Sequence, residues 1–412
     1  MSEYAEKKRA EREARHHVRR TRTRSRLINR VLGLCAAVVL FGGAAYRVGA
    51  AVENAQAKVV RTPTYVRAVA PVTLGRSVAT LACDAAETAL SASRPTTLTV
   101  AAVGDMIFDR RVKSLIRVAG GTAPLAAVSS HLAAADLTVG NLESPLSSRG
   151  TERIEKDVRF RGDPRGVEGL AASGFDFLSL ANNHVLDWGP VALADTVSLL
   201  QRSGIGFAGA GANRAAAWAP AVAKRRGASV AFLSFSHILP PGFVATKDSA
   251  GLAQGRNNMD AVVVAIQEAK KTNDYVLVSF HWGVEYADDA NGEQVRDARR
   301  AIDAGADMVL SHHPHVIQAV ERYKGRVIAY SLGDFVFDHY SRKTGEAFIL
   351  DAELGPNGIG AVRITPVYLD ANGKPEFVKG SAARTILERL KTISQKRGTT
   401  VTVAGDTATV TP

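Results

Sequence analysis

At 412 residues, with 46% apolar and 22% charged positions, the chain is globular in composition and long enough for one large α/β domain with appendages. Its formal charge of +12 is not a nucleic-acid signature: residues 1–30 hold eleven Lys/Arg against four Glu, which is +7 of the total, and no basic stripe interleaved with aromatics follows. Two cysteines exclude a disulfide framework, because Cys35 falls in an apolar segment and leaves Cys83 without an intramolecular partner.

Residues 1–30 read as a basic cytoplasmic tail and 31–52 as a transmembrane anchor. Val31 to Tyr46 carries no charge, and Arg47 interrupts before Val48 to Val52 resumes. That is short of the ~20 residues a spanning helix needs, unless Arg30 and Arg47 snorkel and Leu27, Ile28 and Val48 to Val52 complete the span. The alternative is a cleaved signal peptide, with Ala55-Gln56-Ala57 in the small-x-small form of a cleavage site. The arginines on the N-terminal side place the tail in the cytoplasm and the rest outside a cell membrane crossed once. Residues 53–96, with Pro63, Pro71 and Pro95 and no sustained period, read as a stalk.

From Thr97 the pattern becomes that of an α/β domain. Leu98 to Val103 is a buried-type strand that ends at Gly104-Asp105, and Asp136 to Val139 runs into Gly140-Asn141-Leu142-Glu143. Phe175 to Leu180 ends at Ala181-Asn182-Asn183-His184, followed by Asp187, Gly189 and a helix from Pro190 to Ser203. Tyr275 to Phe280 ends at His281-Trp282-Gly283-Val284-Glu285. Met308 to Leu310 stops at Ser311-His312-His313-Pro314-His315.

Each ending has a bland reading, since Asp and Asn cap helices and a His-rich loop can simply be solvated. Five strands ending in chemistry-bearing residues point instead to one sheet edge, where open α/β sheets bind ligands. Pro314 biases His313 towards an extended backbone, from which His313 and His315 project to one side. Carboxylate, amide oxygen and imidazole without thiolate suit Mn²⁺, Fe²⁺ or Zn²⁺. Seven candidate side chains exceed one tetrahedral ion and fit two ions sharing a carboxylate, the arrangement that clamps attacking and leaving oxygens in phosphoester hydrolysis.

Gly104-Asp105, Asn141-Leu142-Glu143-Ser144-Pro145, Ala181-Asn182-Asn183-His184 with Asp187 and Gly189, His281 to Tyr286, His312 to His315 with Gln318, and Tyr330-Ser331-Leu332-Gly333-Asp334-Phe335 resemble the CapA-type poly-γ-glutamate capsule synthesis proteins. That family is similar in turn to calcineurin-like metallophosphoesterases, which implies a four-layer αββα sandwich, here preceded by one transmembrane helix. The resemblance makes Asp105 and His315 ligands of one metal, Glu143 the bridging carboxylate, and Asn183, His281 and His313 ligands of the second. It makes His184 the acid that protonates the leaving oxygen. Arg110, Asn182, Asp187, Glu285, His312 and Asp334 are expected to touch substrate or to hold the ligands. Two departures are visible: Ile107 stands where calcineurin-like enzymes usually place a histidine, and Asp334 where the CapA pattern usually has Asn.

Among the remaining candidates, His131 reads as structural, His237 as able to reach the site from a strand end, His339 as a surface residue, and Trp282 as substrate wall or core. Ala347 to Leu354 and Ile359 to Tyr368 alternate as two antiparallel strands joined at Gly355-Pro356-Asn357-Gly358, expected to close the second sheet. A helix from Ser381 to Gln395 and a strand pair within Thr400 to Val410 follow, so the CapA-like domain is set at 97–380 and a C-terminal extension at 381–412. Three functions fit: a membrane-anchored extracytoplasmic enzyme in synthesis or export of a γ-linked glutamate polymer, a cell-surface phosphoesterase, or a non-catalytic scaffold that binds an anionic polymer beside membrane synthase subunits.

Overall fold

The computed structural model describes residues 97–153 and 156–411. The expected tail, anchor and stalk lie outside them, and among the described residues no helix is long and apolar enough to cross a membrane.

The chain begins with β1 (Leu98–Met106), α1 (Arg110–Ala119), the short α2 (Ser129–Ala133) and β2 (Leu137–Leu142). It continues through α3 (Gly166–Ala172), β3 (Phe175–Ser179), α4 (Gly189–Arg202), β4 (Gly206–Ala208), β5 (Ala210–Gly211) and α5 (Arg214–Trp218). A hairpin of β6 (Ala221–Arg225) and β7 (Ala228–Ser236) leads to β8 (Gly251–Leu252), α6 (Met259–Thr272), β9 (Tyr275–His281), α7 (Gly292–Asp303) and β10 (Met308–His312). Short strands β11 (Val320–Tyr323), β12 (Arg326–Ala329) and β13 (Asp334–Val336) precede α8 (Arg342–Gly345) and the long pair β14 (Glu346–Gly355) and β15 (Gly358–Leu369). β16 (Pro375–Phe377), α9 (Gly380–Gln395), β17 (Thr400–Ala404) and β18 (Thr407–Thr411) complete it.

Ten strands form one sheet, in the order β17-β18-β15-β14-β1-β2-β3-β4 with β13 beside β1 and β16 beside β15, and six form a second in the order β11-β12-β10-β9-β7-β6. The period-2 alternation of β1 shows how they stack. Val100 and Ala102 join the core that holds Phe232, Leu277 and Leu310 of the second sheet. Ala101 and Val103 join the core that holds Val112 and Ile116 of α1, Leu170 of α3 and Leu193 and Leu200 of α4. The two sheets therefore face each other, and helices cover their other faces. Phe177 and Phe232 stack across that interface with centroids 5.5 Å apart, and truncating either to Ala would cost about 3–5 kcal/mol.

Two expectations about the C-terminal part change. The β14–β15 hairpin has the expected turn and antiparallel pairing, but β14 pairs with β1 in the first sheet instead of closing the second. Its run from Glu346 to Leu350 is buried throughout, as in a central strand with both faces covered. The last segment is also integrated: Ala383, Ile386, Leu387 and Leu390 of α9 are buried, and β17–β18 extends the first sheet through β15.

Gly104 marks where β14 leaves β1 and β13 takes its place. β14 pairs as far as Ala102, and β13 begins opposite Asp105. A Cβ on Gly104 would lie 2.0 Å from the Gly333 carbonyl oxygen, so only glycine lets the backbones approach.

Candidate metal centre

Parallel pairing puts the carboxyl ends of the strands side by side. Ser236, His281 and His312 are Cα partners across β7, β9 and β10, and Asp105 is partnered by Asn141 of β2 and Asp334 of β13. The strands run further than their sequence pattern suggests, so Asp105, His281 and His312 are the last or nearly the last strand residues. Glu143 follows β2 directly, its N–H donating to the Met106 carbonyl at 2.8 Å.

These ends converge. Ligand atoms of Glu143, His313 and His315 lie within 4.8 Å of one another, as do those of Asp105, Glu143 and His281, and those of Asp105, His315 and Asp334. Glu143 Oε1 is 3.7 Å from His281 Nε2 and 3.9 Å from His315 Nε2. Asp105 accepts from the Asn141 amide at 2.8 Å and from the His313 N–H at 3.0 Å. His312 Nδ1 lies 3.1 Å from Asp105 Oδ1, near enough for Coulombic attraction though misaligned for a hydrogen bond. His281 Nε2 meets Asn183 Oδ1 at 2.8 Å, and His315 Nδ1 meets Asp334 Oδ1 at 2.8 Å.

Burial makes this cluster electrostatically tense. Burial, then the Asp105 charge, push Glu143 well above the usual carboxylate range. Asp105 resists its own burial: the neighbouring His312 imidazole, the charge of His315 and the His313 N–H together hold it low. Burial, reinforced by the other imidazoles, holds His281 well below its ordinary value and His313 at about 4. Burial opposes the charged form of His315 as well, but Asp334 and Glu143 raise it well above the usual range. Asp334 is pushed up to about 7, chiefly by burial.

The donor set fits a divalent cation. Glu143 Oε1, His281 Nδ1 and His313 Nδ1 are buried without a hydrogen-bond partner, an arrangement that native proteins rarely leave uncompensated. His281 and His313 are neutral, the form that ligates, and a cation among the carboxylates would supply the charge that burial otherwise demands as protons. With Nδ1–H donating to Asp334, His315 keeps Nε2 free towards Glu143.

The loop reaches this geometry by a different route from the one Pro314 suggests. His313 has φ +97° and His315 φ +57°, so neither is extended in the ordinary sense. Such values are costly for a residue with a Cβ and mark a backbone held by its surroundings. The His313 N–H on Asp105 and the Tyr286 N–H on the Pro314 carbonyl, at 2.7 Å, hold this one.

His184 adjoins the centre. Its Nδ1 pairs with Asp187 at 2.7 Å, and its ring lies 4.2 Å from that of Phe160. Burial, outweighing Asp187, lowers it to about 4. Asn182 ties two strand ends together, donating to Asn141 Oδ1 at 3.1 Å and to the Leu142 carbonyl at 2.8 Å. Arg110 stands at the rim, its guanidinium 4.6 Å from the Phe160 centroid and 2.6 Å from the Tyr340 hydroxyl. Glu285 is half-buried, and its charge acts on Glu143, His313 and Asp334.

Lys156 was not legible in sequence. Its Nζ donates to the Asn183 carbonyl and to Asp187 Oδ1 and lies 3.2 Å from His184 Nδ1. It sits in a polar run between Thr151 and Asp157 that carries no pattern, and only folding brings it under His184. Ile107 is buried with Phe160, Phe337 and Leu369, an apolar cluster that supplies no ligand. His237 does not join the centre: it packs edge-on against Phe280 and Trp282, on the face of β9 opposite His281. Trp282 is core, fully buried with its indole N–H on the Tyr330 carbonyl at 3.1 Å. His131 pairs with Asp351, and His339 is half-buried with its ring 5.5 Å from that of Tyr368.

Residues 99–339 match the family model for the bacterial capsule synthesis protein PGA_cap, over the whole stretch that carries these strand ends. The chain belongs to the PGA_cap family. It is 32% identical to the PGA biosynthesis protein CapA of Bacillus subtilis over 296 residues, 71% of this chain and 77% of the relative. It is 31% identical to the capsule biosynthesis protein CapA of Bacillus anthracis over 308 residues, 73% and 74% of the two chains. Against a Mycobacterium tuberculosis relative named "Probable polyglutamine synthesis accessory protein", identity is 34% over 225 residues, 52% of this chain and 59% of the relative. The PGA_cap match ends just after β13, so it contains every side chain of the centre.

Proposed function

We propose that the chain is a membrane-anchored, extracytoplasmic CapA-type protein whose strand ends hold two divalent transition ions, in the manner of calcineurin-like metallophosphoesterases, and that it acts in synthesis or export of poly-γ-glutamate or a similar anionic surface polymer. The observation that carries this reading is Glu143: fully buried, with an unpartnered oxygen lying between His281 and His315. Asp105 and His315 would hold one ion, Asn183, His281 and His313 the other, and Glu143 both, while Asp334 orients His315. Ions bound there supply Lewis-acid polarisation of the scissile group.

The chain's own residues do the rest. Arg110, above Phe160, offers an anionic chain a cation one aromatic ring away from His184. His184, fixed through Nδ1 by Asp187, keeps Nε2 for the leaving atom and donates a proton there once an anion beside the ring raises its pKa. Lys156 holds Asp187 and the Asn183 carbonyl, and so sets the loop that carries both Asn183 and His184.

The test is metal content followed by turnover. The Glu143 centre of the purified chain should carry up to two equivalents of transition metal by elemental analysis, and H313A should lower the metal content more than H131A, because only His313 is a ligand here. With metal bound, γ-linked glutamate oligomers or a phosphodiester should be cleaved. Equal, metal-free behaviour of both variants would leave a polymer-binding scaffold as the function. Retention on membranes after alkaline carbonate washing checks the anchor.

A further inference from the structure

Behind the second sheet lies a second group of ligand-type side chains that the proposed reaction does not use. His237 follows the end of β7, and Glu293 and Asp297 stand one turn apart on α7. One ring nitrogen of His237 and a carboxylate oxygen from each acid lie within 4.8 Å of one another. His237 is 3% exposed, and neither of its ring nitrogens has a hydrogen-bond partner. Its ring stands edge-on to both members of the stacked Phe280–Trp282 pair, at 5.6 and 5.5 Å.

We infer that His237, Glu293 and Asp297 form a separate binding site for a single divalent transition ion of the zinc class. An imidazole whose two nitrogens are both buried and unpaired is missing a partner. Two acids at i and i+4 on a helix repel each other, and a dication removes that repulsion. Bonds of ~2.0–2.2 Å around a tetrahedral ion would put ligand atoms roughly 3.4 Å apart, within the spread of these three. One imidazole, two carboxylates and no thiolate suit zinc and its neighbours.

The acids are engaged only from outside. Asp297 is gripped by Arg296 of its own helix at 2.9 and 3.2 Å, and Glu293 is approached by Arg256 at 3.7 Å. Both arginines are more than half exposed, and a carboxylate oxygen that accepts one hydrogen bond keeps a lone pair for a metal. Glu293 is about a third exposed, which opens the site to solvent on one side and leaves the fourth position for water.

The site's consequence is positional. The His237 N–H donates to the His281 carbonyl at 2.9 Å, so an ion joining His237 to α7 ties that helix to the strand end that presents His281. It is a structural site, distinct from the centre around Glu143 and on the other face of β9.

The test uses the full chain, stripped with chelator and titrated with Co²⁺, reading bound metal by elemental analysis and the visible d–d absorption of cobalt. Wild type should bind one equivalent more than D297N or E293Q, both of which keep side-chain shape and should keep the wild-type circular dichroism. In an H313A/H315A background, the cobalt that remains should be one equivalent, and adding D297N should weaken its binding at least tenfold. The same cobalt stoichiometry with and without D297N and E293Q, or no metal retained in the H313A/H315A background, overturns the inference. Failure of the Glu143 centre reads differently: wild type and H313A/H315A would then bind the same single equivalent, and D297N would still weaken it.

Discussion

Asp105 and Asp334 are Cα partners across the parallel pair β1–β13, with the His315 imidazole beside both: Nδ1 is 2.8 Å from Asp334 and 3.8 Å from Asp105. Two acids in this position fix which nitrogen of His315 carries its proton, and so which one is free.

The first prediction concerns that proton. D334A should weaken metal binding at the Glu143 centre about 10–100-fold, the usual loss when the group orienting a ligating histidine is removed. D334N should lose less, since its amide oxygen can still accept from Nδ1–H. Competition with a chromophoric chelator measures both, and equal affinity in D334A and wild type would remove Asp334 from the ligand-holding role.

Removing the imidazole at 184 should separate chemistry from binding. H184A should keep the wild-type metal content and lose on the order of 10²–10⁴ in turnover on a substrate with an alkoxide or amide leaving group. The loss should shrink for an aryl leaving group, which departs without a proton. Normal turnover on the alkyl substrate with metal bound would take His184 out of the mechanism, and metal loss would move it among the ligands.

Lys156 is largely buried, and its partner Asp187 is fully so. K156M removes the cation but leaves the Asp187 charge in place, with only the Phe160 N–H at 2.8 Å and His184 to offset it. Breaking one side of a buried pair typically costs about 3–5 kcal/mol. Urea unfolding should show a loss of that order in K156M and a smaller one in K156M/D187N, where no buried charge is stranded. An unchanged midpoint in K156M would show that the pair contributes nothing to stability.

The pH prediction rests on His131, whose Nε2 sits 3.1 and 3.0 Å from the two oxygens of Asp351. The hydrogen bond that the His131 ring donates to the Asp351 carboxylate raises the pKa of His131 against partial burial. Folding therefore favours the protonated ring. That stabilisation is fully present below the ordinary histidine pKa and is lost as pH rises through the raised folded value. H131A should accordingly lower the melting temperature at pH 5.5 and have a smaller effect at pH 9. A difference between variant and wild type that is the same at both pH values would contradict it.

The sequence by itself determined which residues meet. Asp105, Glu143, Asn183, His281, His313 and His315 were legible because each stands at or just past the carboxyl end of a strand; parallel pairing aligns those ends within each sheet, and the packing of the two sheets brings the two sets together. Helix α9 and the β14–β15 hairpin were legible for the same local reason, since a period of 3.6 or 2 and a Gly-Pro-Asn-Gly turn are written in adjacent residues. The tertiary structure alone decided what depends on distant neighbours. It put β14 against β1, because pairing partners follow from which faces are buried and the strand's own pattern does not name them. It placed His237 behind β9, since alternation assigns residues to opposite faces without saying which face holds the centre. It bent His313 and His315 into positive φ against the bias of Pro314, and brought Lys156 beneath His184. Both results come from hydrogen bonds to residues far along the chain, 208 positions away for His313 and Asp105. Local sequence sets what a segment prefers, and contacts closed over such separations set the strain it must accept.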